Sequence, residues 1–245
     1  MSIIFRLARR AVQHFVAAWP PGRTKSVLMG AVLKHVQLPL SAFCRCGGVA
    51  IQCGCCHEHT LHRWVKTVGP GGRLIIVEAD RANAAQLEAV CETHGYSNVS
   101  IICNALWREN EAITLQVSSV PDFNRVKEAQ TWSDKLPDSL YGQEVAVEGA
   151  RLDDILRTLD VRRADHIHMT ISGGELDALQ GMTEVLAQSD TTVFVRSLCL
   201  HNDDGKPTNG RVAEFLRARG YRSVLAAQEA NKYGGNVFAW KQRAA

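Results

Sequence analysis

Short apolar runs alternate with stretches in which apolar positions recur every three or four residues, and this alternation organises the chain from residue 49 onward. Val49, Ala50 and Ile51 read as a buried strand leading into Gly54, and residues 61–68 place apolar side chains on one helical face. After the Gly-Pro-Gly-Gly turn at 69–72, residues 74–77 form a second buried strand ending at Glu78. A helix is predicted over 82–94, with Gly95 placed to end it, then a third strand over 99–103 and another over 112–117. Residues 121–142 are polar and weakly periodic, as in a lid or substrate-side loop. Beyond them the pattern gives a strand over 144–147, a short helix over 152–159, a buried strand over 166–170, a helix over 175–187 and a strand over 192–195. A polar loop at 201–210, a helix over 211–219 and strands near 223–226 and 237–240 close the chain. Strand–helix alternation that gives way to an antiparallel pair predicts an α/β fold, a Rossmann-like and mainly parallel sheet with helices on both faces and a C-terminal antiparallel hairpin.

The first unit carries the most chemistry. Strand, tight turn, helix, strand and acid is the opening of a nucleotide-binding sheet, in which a carboxylate at the position of Glu78 accepts both ribose hydroxyls of an adenosine-containing cofactor. The competing reading of Glu78 is an ordinary acid at a strand terminus. The turn has Cys53, Cys55, Cys56, His57, Glu58 and His59 where cofactor folds use glycines. Together with Cys44 and Cys46, the residues Cys53, Cys55, Cys56, His57 and His59 offer soft thiolates and imidazoles suited to zinc or copper. Against a metal stands the spacing: a CxC pair is not a zinc knuckle, and residues 53 and 55 leave a strand on one face while 56 points elsewhere. Small cysteines filling core positions are the alternative.

The other three cysteines, Cys91, Cys103 and Cys199, stand alone, and no secretory signal accompanies them, so a reducing, cytoplasmic setting with thiols free or metal-bound is expected. The 245 residues contain no linker-like stretch, which predicts one domain over 46–245 behind a basic helical extension over 1–45. The net charge of +3 is uneven: seven basic and no acidic residues precede Glu58, so the remainder carries −4. Residues 3–19 can form an amphipathic helix with Ile4, Leu7, Ala11, Phe15 and Ala18 along one side. It is too short and too charged to span a bilayer. Such a helix docks on its own core or on an oligomer partner, or makes peripheral contact with a membrane or serves as a targeting segment. No nucleic-acid partner is expected, and the oligomeric state is left open.

Three pieces in order resemble one known family: GPGGRLIIVEADRANAAQLEA, NVSIICNALW and RLDDILRTLDVRRADHIHMTISGGELDALQGM. The last is similar to the "TLDDL" helix and "D-x-I-K-I-D-V-E-G-A-E-x-x-V-L-x-G" segment of the FkbM-type S-adenosylmethionine-dependent methyltransferases. The resemblance implies a seven-stranded sheet, S-adenosylmethionine as cofactor, and methyl transfer to an oxygen of a small molecule or saccharide. It implies cofactor contacts from Gln52, Cys53, Gly54 and Cys55 in the first turn, from Glu78 and Ala79 after the second strand, and from Asn104 and Ala105 beside the adenine. Departures fall in the same motifs. The family's "V-D-V-G-A-N-x-G" aligns with Ile51 to Glu58, where Gln52 replaces the acid, and Thr170 and Ser172 replace the two carboxylates of "D-V-E-G". Arg196 stands where the family commonly has another acid. Glu175, His201 and Thr170 are the candidate catalytic residues, with Ser172 near them; Glu175 also simply complements a helix dipole, and His201 begins a loop rich in turn residues. His168 reads as a packing residue, and Trp107 and Trp132 as pocket walls or core. Two other classes stay open: a catalytically inactive interaction scaffold on the same sheet, and a metal- or redox-responsive protein built on the cysteine turn.

Overall fold

The computed structural model describes residues 11, 12, 15, 16, 18, 19, 23–33, 38, 40–54, 57–129, 131, 132, 138–188, 190–198, 201, 202, 208–226 and 234–241. Of the predicted 3–19 helix, residues 3–10 lie outside this set, as do Cys55, Cys56, Cys199, Asp203 and Asp204.

In chain order the described elements are α1 (Arg23–Leu33), β1 (Val49–Cys53), α2 (Glu58–Val68), β2 (Arg73–Val77), α3 (Arg81–His94), β3 (Val99–Ile102), β4 (Ala105–Leu106), β5 (Glu111–Ser118), β6 (Arg125–Val126), β7 (Thr131–Trp132), β8 (Tyr141–Ala150), α4 (Leu152–Thr158), β9 (His166–Met169), α5 (Glu175–Gln180), α6 (Thr183–Ala187), β10 (Thr192–Leu198), β11 (His201–Asn202), α7 (Thr208–Ala218), β12 (Tyr221–Ala226) and β13 (Gly234–Lys241). The main sheet has seven strands in the order β12-β13-β10-β9-β1-β2-β3. Pairing is parallel from β10 through β9, β1 and β2 to β3, and antiparallel where β13 joins β10 and β12. The predicted closing hairpin is thus inserted at one end of a parallel sheet.

Alternation along each strand sorts the core into two layers. Ile51, Cys53, Ile75, Val77, Ile167, Met169, Val193 and Val195 face the layer made by α4 to α7. Ala50, Leu74 and Ile76 face Leu61, Trp64 and Val68 of α2 and Leu87 of α3. Farther along that face, Phe194, Phe238 and Trp240 pack against Val16, Ala42 and Phe43 and against Met29 and Leu33 of α1. Val16, α1, Ala42 and Phe43 therefore cover one end of the sheet. No helix among the described residues is long and apolar enough to cross a membrane.

Two expectations change. The predicted 175–187 helix is two helices, because Asp153 of α4 reaches across to start the second: its carboxylate accepts hydrogen bonds from the backbone N–H of Glu184 at 2.8 Å and of Val185 at 3.0 Å, and from the Thr183 hydroxyl at 3.0 Å. The polar 121–142 stretch is not structureless among its described residues. It contributes β6 to a second sheet of order β4-β8-β5-β6, in which β5 and β8 are longer than their sequence patterns indicate.

A cleft at the carboxyl ends of the strands

A cleft enclosing about 750 Å³, part of it open to solvent, lies beyond the carboxyl ends of β1, β2, β3 and β9. Each strand exit supplies part of the wall: Gly54 and His57 after β1, Glu78 to Asp80 after β2, Asn104 and Ala105 after β3, and Thr170 to Ser172 after β9. Asp122, Asn124, Arg125 and Val126 of the excursion close the opposite side.

The first turn is held from beneath. Gln52 is buried, its Nε2 donates to the Gly54 carbonyl at 2.8 Å, and its Oε1 accepts from the Trp64 indole N–H at 2.9 Å. Gly54 has φ +65°, and a Cβ there would come within 2.5 Å of Ile171 Cγ2 and 2.8 Å of the Thr170 carbonyl. The position admits glycine on both conformational and steric grounds. Gln52 therefore braces the turn and does not line the cleft, a correction to its expected cofactor contact. Cys53 likewise sits wholly inside the core beneath α4 to α6, with burial pushing its thiol far up, and it does not line the cleft.

Glu78 is oriented rather than free. Its Oε1 accepts from the Asp80 N–H at 3.0 Å and its Oε2 from Asn83 Nδ2 at 2.7 Å. Burial raises its pKa, and these two hydrogen bonds oppose that rise. Each carboxylate oxygen keeps acceptor capacity toward the cleft. Ala79, Asn104 and Ala105 line the same wall, with the Asn104 amide donating to the Glu148 carbonyl at 3.1 Å.

The excursion crosses to this wall through polar bonds. Asn124 Nδ2 donates to Asp80 Oδ2 at 2.9 Å, and its Oδ1 accepts from the Ser118 N–H at 2.8 Å. The Ser172 hydroxyl donates to the Asp122 carbonyl at 3.0 Å, and Asp122 Oδ1 lies 2.8 Å from His57 Nε2. A cleft imidazole is thus paired with a carboxylate from the opposite side. Sequence reasoning placed His57 among metal ligands and did not single out Asp122, Asn124 or Arg125. The weak periodicity of their segment marked a lid but gave no register.

Among the candidate catalytic residues, Thr170 lines the cleft and Glu175 does not. Glu175 opens α5, is wholly buried, and its oxygens lie near the N–H groups of Gly173 and Glu175 without reaching full hydrogen-bond geometry. Burial pushes its carboxyl up to about 8, with Asp177 adding to the shift. A group sealed away from the cleft cannot touch a substrate there. His201 pairs through its backbone with Trp132, and its side chain lies outside the described set. His168 is half-buried and packs as expected: it stacks on Phe194 at 4.8 Å, and desolvation, with Arg196 and Arg63 nearby, pushes it down to about 3.

The proposed cysteine–histidine metal cluster does not assemble among the described residues. Cys44 and Cys46 precede β1 while Cys53 ends it, so the strand itself separates the two groups by roughly 13 Å, far beyond the span of shared zinc ligands. Cys44 is buried beside Gly48 with its thiol pushed up to about 12, whereas Cys46 is exposed beside Gly69. His57 and His59 stack on each other at 5.7 Å.

The sheet order, the antiparallel β13 and the cleft at the strand ends define the class: a Rossmann-like S-adenosylmethionine methyltransferase fold. Fibrillarin from Aeropyrum pernix, solved with natively bound S-adenosyl-L-methionine, is similar at TM-score 0.53 and 12% identity, over 87% of this chain and 73% of that one. A SAM-dependent methyltransferase from Aquifex aeolicus is similar at TM-score 0.43 and 16% identity, over 80% and 82% of the two chains. Precorrin-6y C5,15-methyltransferase from Geobacter metallireducens gives TM-score 0.46 and 11% identity over 92% and 91%. No match was found among curated proteins. Residues 52–223 match the methyltransferase FkbM domain, and the chain belongs to that family.

Proposed function

We propose that the chain binds S-adenosylmethionine in this cleft and transfers its methyl group to an oxygen of a small molecule or saccharide. The observation that carries the reading is Glu78, a carboxylate fixed at the end of β2 that lines the cleft and has lone pairs to spare, in a chain with the FkbM domain. The residues present fit an adenosine moiety. Glu78 would accept the ribose hydroxyls, Ala79, Asn104 and Ala105 would flank the base, and the missing Cβ of Gly54 lets the backbone approach the cofactor closely.

When bound, the cofactor supplies an electrophilic methyl group. The protein's part is to hold an acceptor hydroxyl in line with it and to take its proton. Thr170 and Ser172 line the cleft wall and would position that hydroxyl, and His57, paired with Asp122, would take its proton.

Isothermal titration with S-adenosylmethionine and its demethylated product tests the reading. Binding of both is expected, weakened about 10- to 100-fold in Glu78→Ala, the range for hydrogen bonds to a charged group. The absence of heat and of any thermal shift at millimolar ligand would overturn it. One observation favours a second reading, a cofactor-binding scaffold without catalysis: the Gln52 amide is buried, bonded to Trp64 and Gly54, and does not line the cleft where the cofactor's amino end would lie. Tight binding of the demethylated product without turnover of any hydroxyl acceptor would favour that reading.

A further inference from the structure

On the outer face of the helix layer, Glu58 begins α2, His62 follows one turn later, and His94 is the last residue of α3. We propose that these three side chains form a binding site for a divalent transition metal of the zinc type. One ligand atom from each already lies within 4.8 Å of the other two. The spacing of the first pair fits the metal more closely than proximity requires. His62 Nε2 and Glu58 Oε1 are 3.3 Å apart. Two ligands each about 2.05 Å from a tetrahedral zinc stand about 3.3 Å from each other. The i,i+4 geometry of a helix thus presents one nitrogen and one oxygen at the edge length of the coordination polyhedron, and a His94 ring nitrogen lies within 4.8 Å of a ligand atom of each.

A second observation suits His62, which pairs with Glu58, to the role of a ligand. Its other ring nitrogen, Nδ1, is 2.8 Å from the Tyr96 hydroxyl. Metal-binding histidines are oriented in this way, the remote nitrogen being bonded so that the other presents its lone pair in a fixed direction. The chain arranges this through Gly95, whose left-handed conformation at φ +65° ends α3 and turns Tyr96 back against it. The Tyr96 ring stacks on His94 at 5.5 Å, so the same residue steadies two of the three ligands. Two imidazoles and a carboxylate suit zinc, nickel or copper(II) over magnesium or calcium. Glu58 and His94 are exposed and His62 partly so, which leaves water or a solute to fill the remaining position. Occupancy would tie the start of α2, next to the cleft residue His57, to the end of α3.

The full-length protein, freed of any affinity tag and stripped with chelator, is titrated with cobalt(II) and zinc(II). One equivalent is expected to bind at micromolar concentration, with visible cobalt absorption of nitrogen–oxygen coordination, no thiolate charge-transfer bands, and a thermal midpoint that rises with added zinc. His94→Ala and Glu58→Gln, both at exposed positions, should each weaken binding at least tenfold, and Tyr96→Phe about tenfold or more. His62→Ala, with far-ultraviolet circular dichroism confirming its fold, should abolish the cobalt spectrum. Unchanged affinity in a His62→Ala/His94→Ala double variant, thiolate bands that persist in it, or no uptake by the wild type at micromolar metal would overturn the proposal. None of these readouts depends on cofactor binding or methyl transfer.

Discussion

Gly54 shows how little freedom the first turn has. A methyl group there must occupy space already taken by Ile171 and the Thr170 carbonyl, in a backbone conformation that disfavours any side chain. Gly54→Ala is expected to destabilise the protein by about 2–4 kcal/mol, combining left-handed strain with overpacking. Denaturant unfolding checks this, and a midpoint within error of the wild type would mean that the turn can relax. The neighbouring Gln52 explains why part of the site is hidden from the sequence. Strand parity puts residue 52 on the same side as Ala50, toward α2, and there the indole of Trp64 offers its amide a partner. That partner is twelve residues away, and no local pattern announces it. Glu78, Ala79, Asn104 and Ala105 are legible for the opposite reason: in a parallel sheet the residues just after consecutive strands must share one edge.

The helices beyond β9 depend on a residue in another element. Asp153 is almost wholly buried and satisfies two backbone N–H groups and a hydroxyl at the start of α6. Asp153→Ala would leave those donors buried without an acceptor, at a cost of about 2–3 kcal/mol. Thermal and urea denaturation should show that loss, whereas Asp154→Ala, at a partly exposed carboxylate bonded to Arg157 and Asn110, should change stability by no more than about 1 kcal/mol. Equal effects of the two substitutions would remove the capping role. The sequence reads 175–187 as continuous because its apolar spacing persists through Gly181 and Met182; what divides it is a carboxylate some thirty residues earlier. The lengths of β5 and β8 escape for a related reason. Most of their residues are exposed or half-exposed, so they lack the apolar runs that mark β1, β2 and β9.

Desolvated titratable groups contribute to how the stability of the whole molecule responds to pH. His168 is pushed down to about 3, and His166 also lies well below its ordinary value, because both imidazoles are desolvated against Phe43 and Trp64. The unfolded chain takes up those protons as pH falls below about 6.5 and the folded chain does not, so stability falls on the acid side. Glu175 acts in the opposite sense. With its carboxyl pushed up to about 8 by burial and by Asp177, itself bonded to Arg108 at 2.7 Å, the folded chain holds a proton that the unfolded chain has released above about 4.5. Between those values stability falls as pH rises, by up to about 1.4 kcal/mol per pH unit. Below 6.5 the two histidines outweigh this single acid, and above 6.5 the acid acts alone. Among these three groups the balance places maximum stability near pH 6.5. Urea denaturation at pH 5, 6.5 and 8 should show a decline on both sides, and Glu175→Gln should flatten the alkaline side while leaving the acid side in place. The slope is the readout, since a buried amide can shift absolute stability by itself. If wild type and variant decline equally from pH 6.5 to 8, Glu175 does not hold its proton in the folded state and another group must account for the alkaline loss.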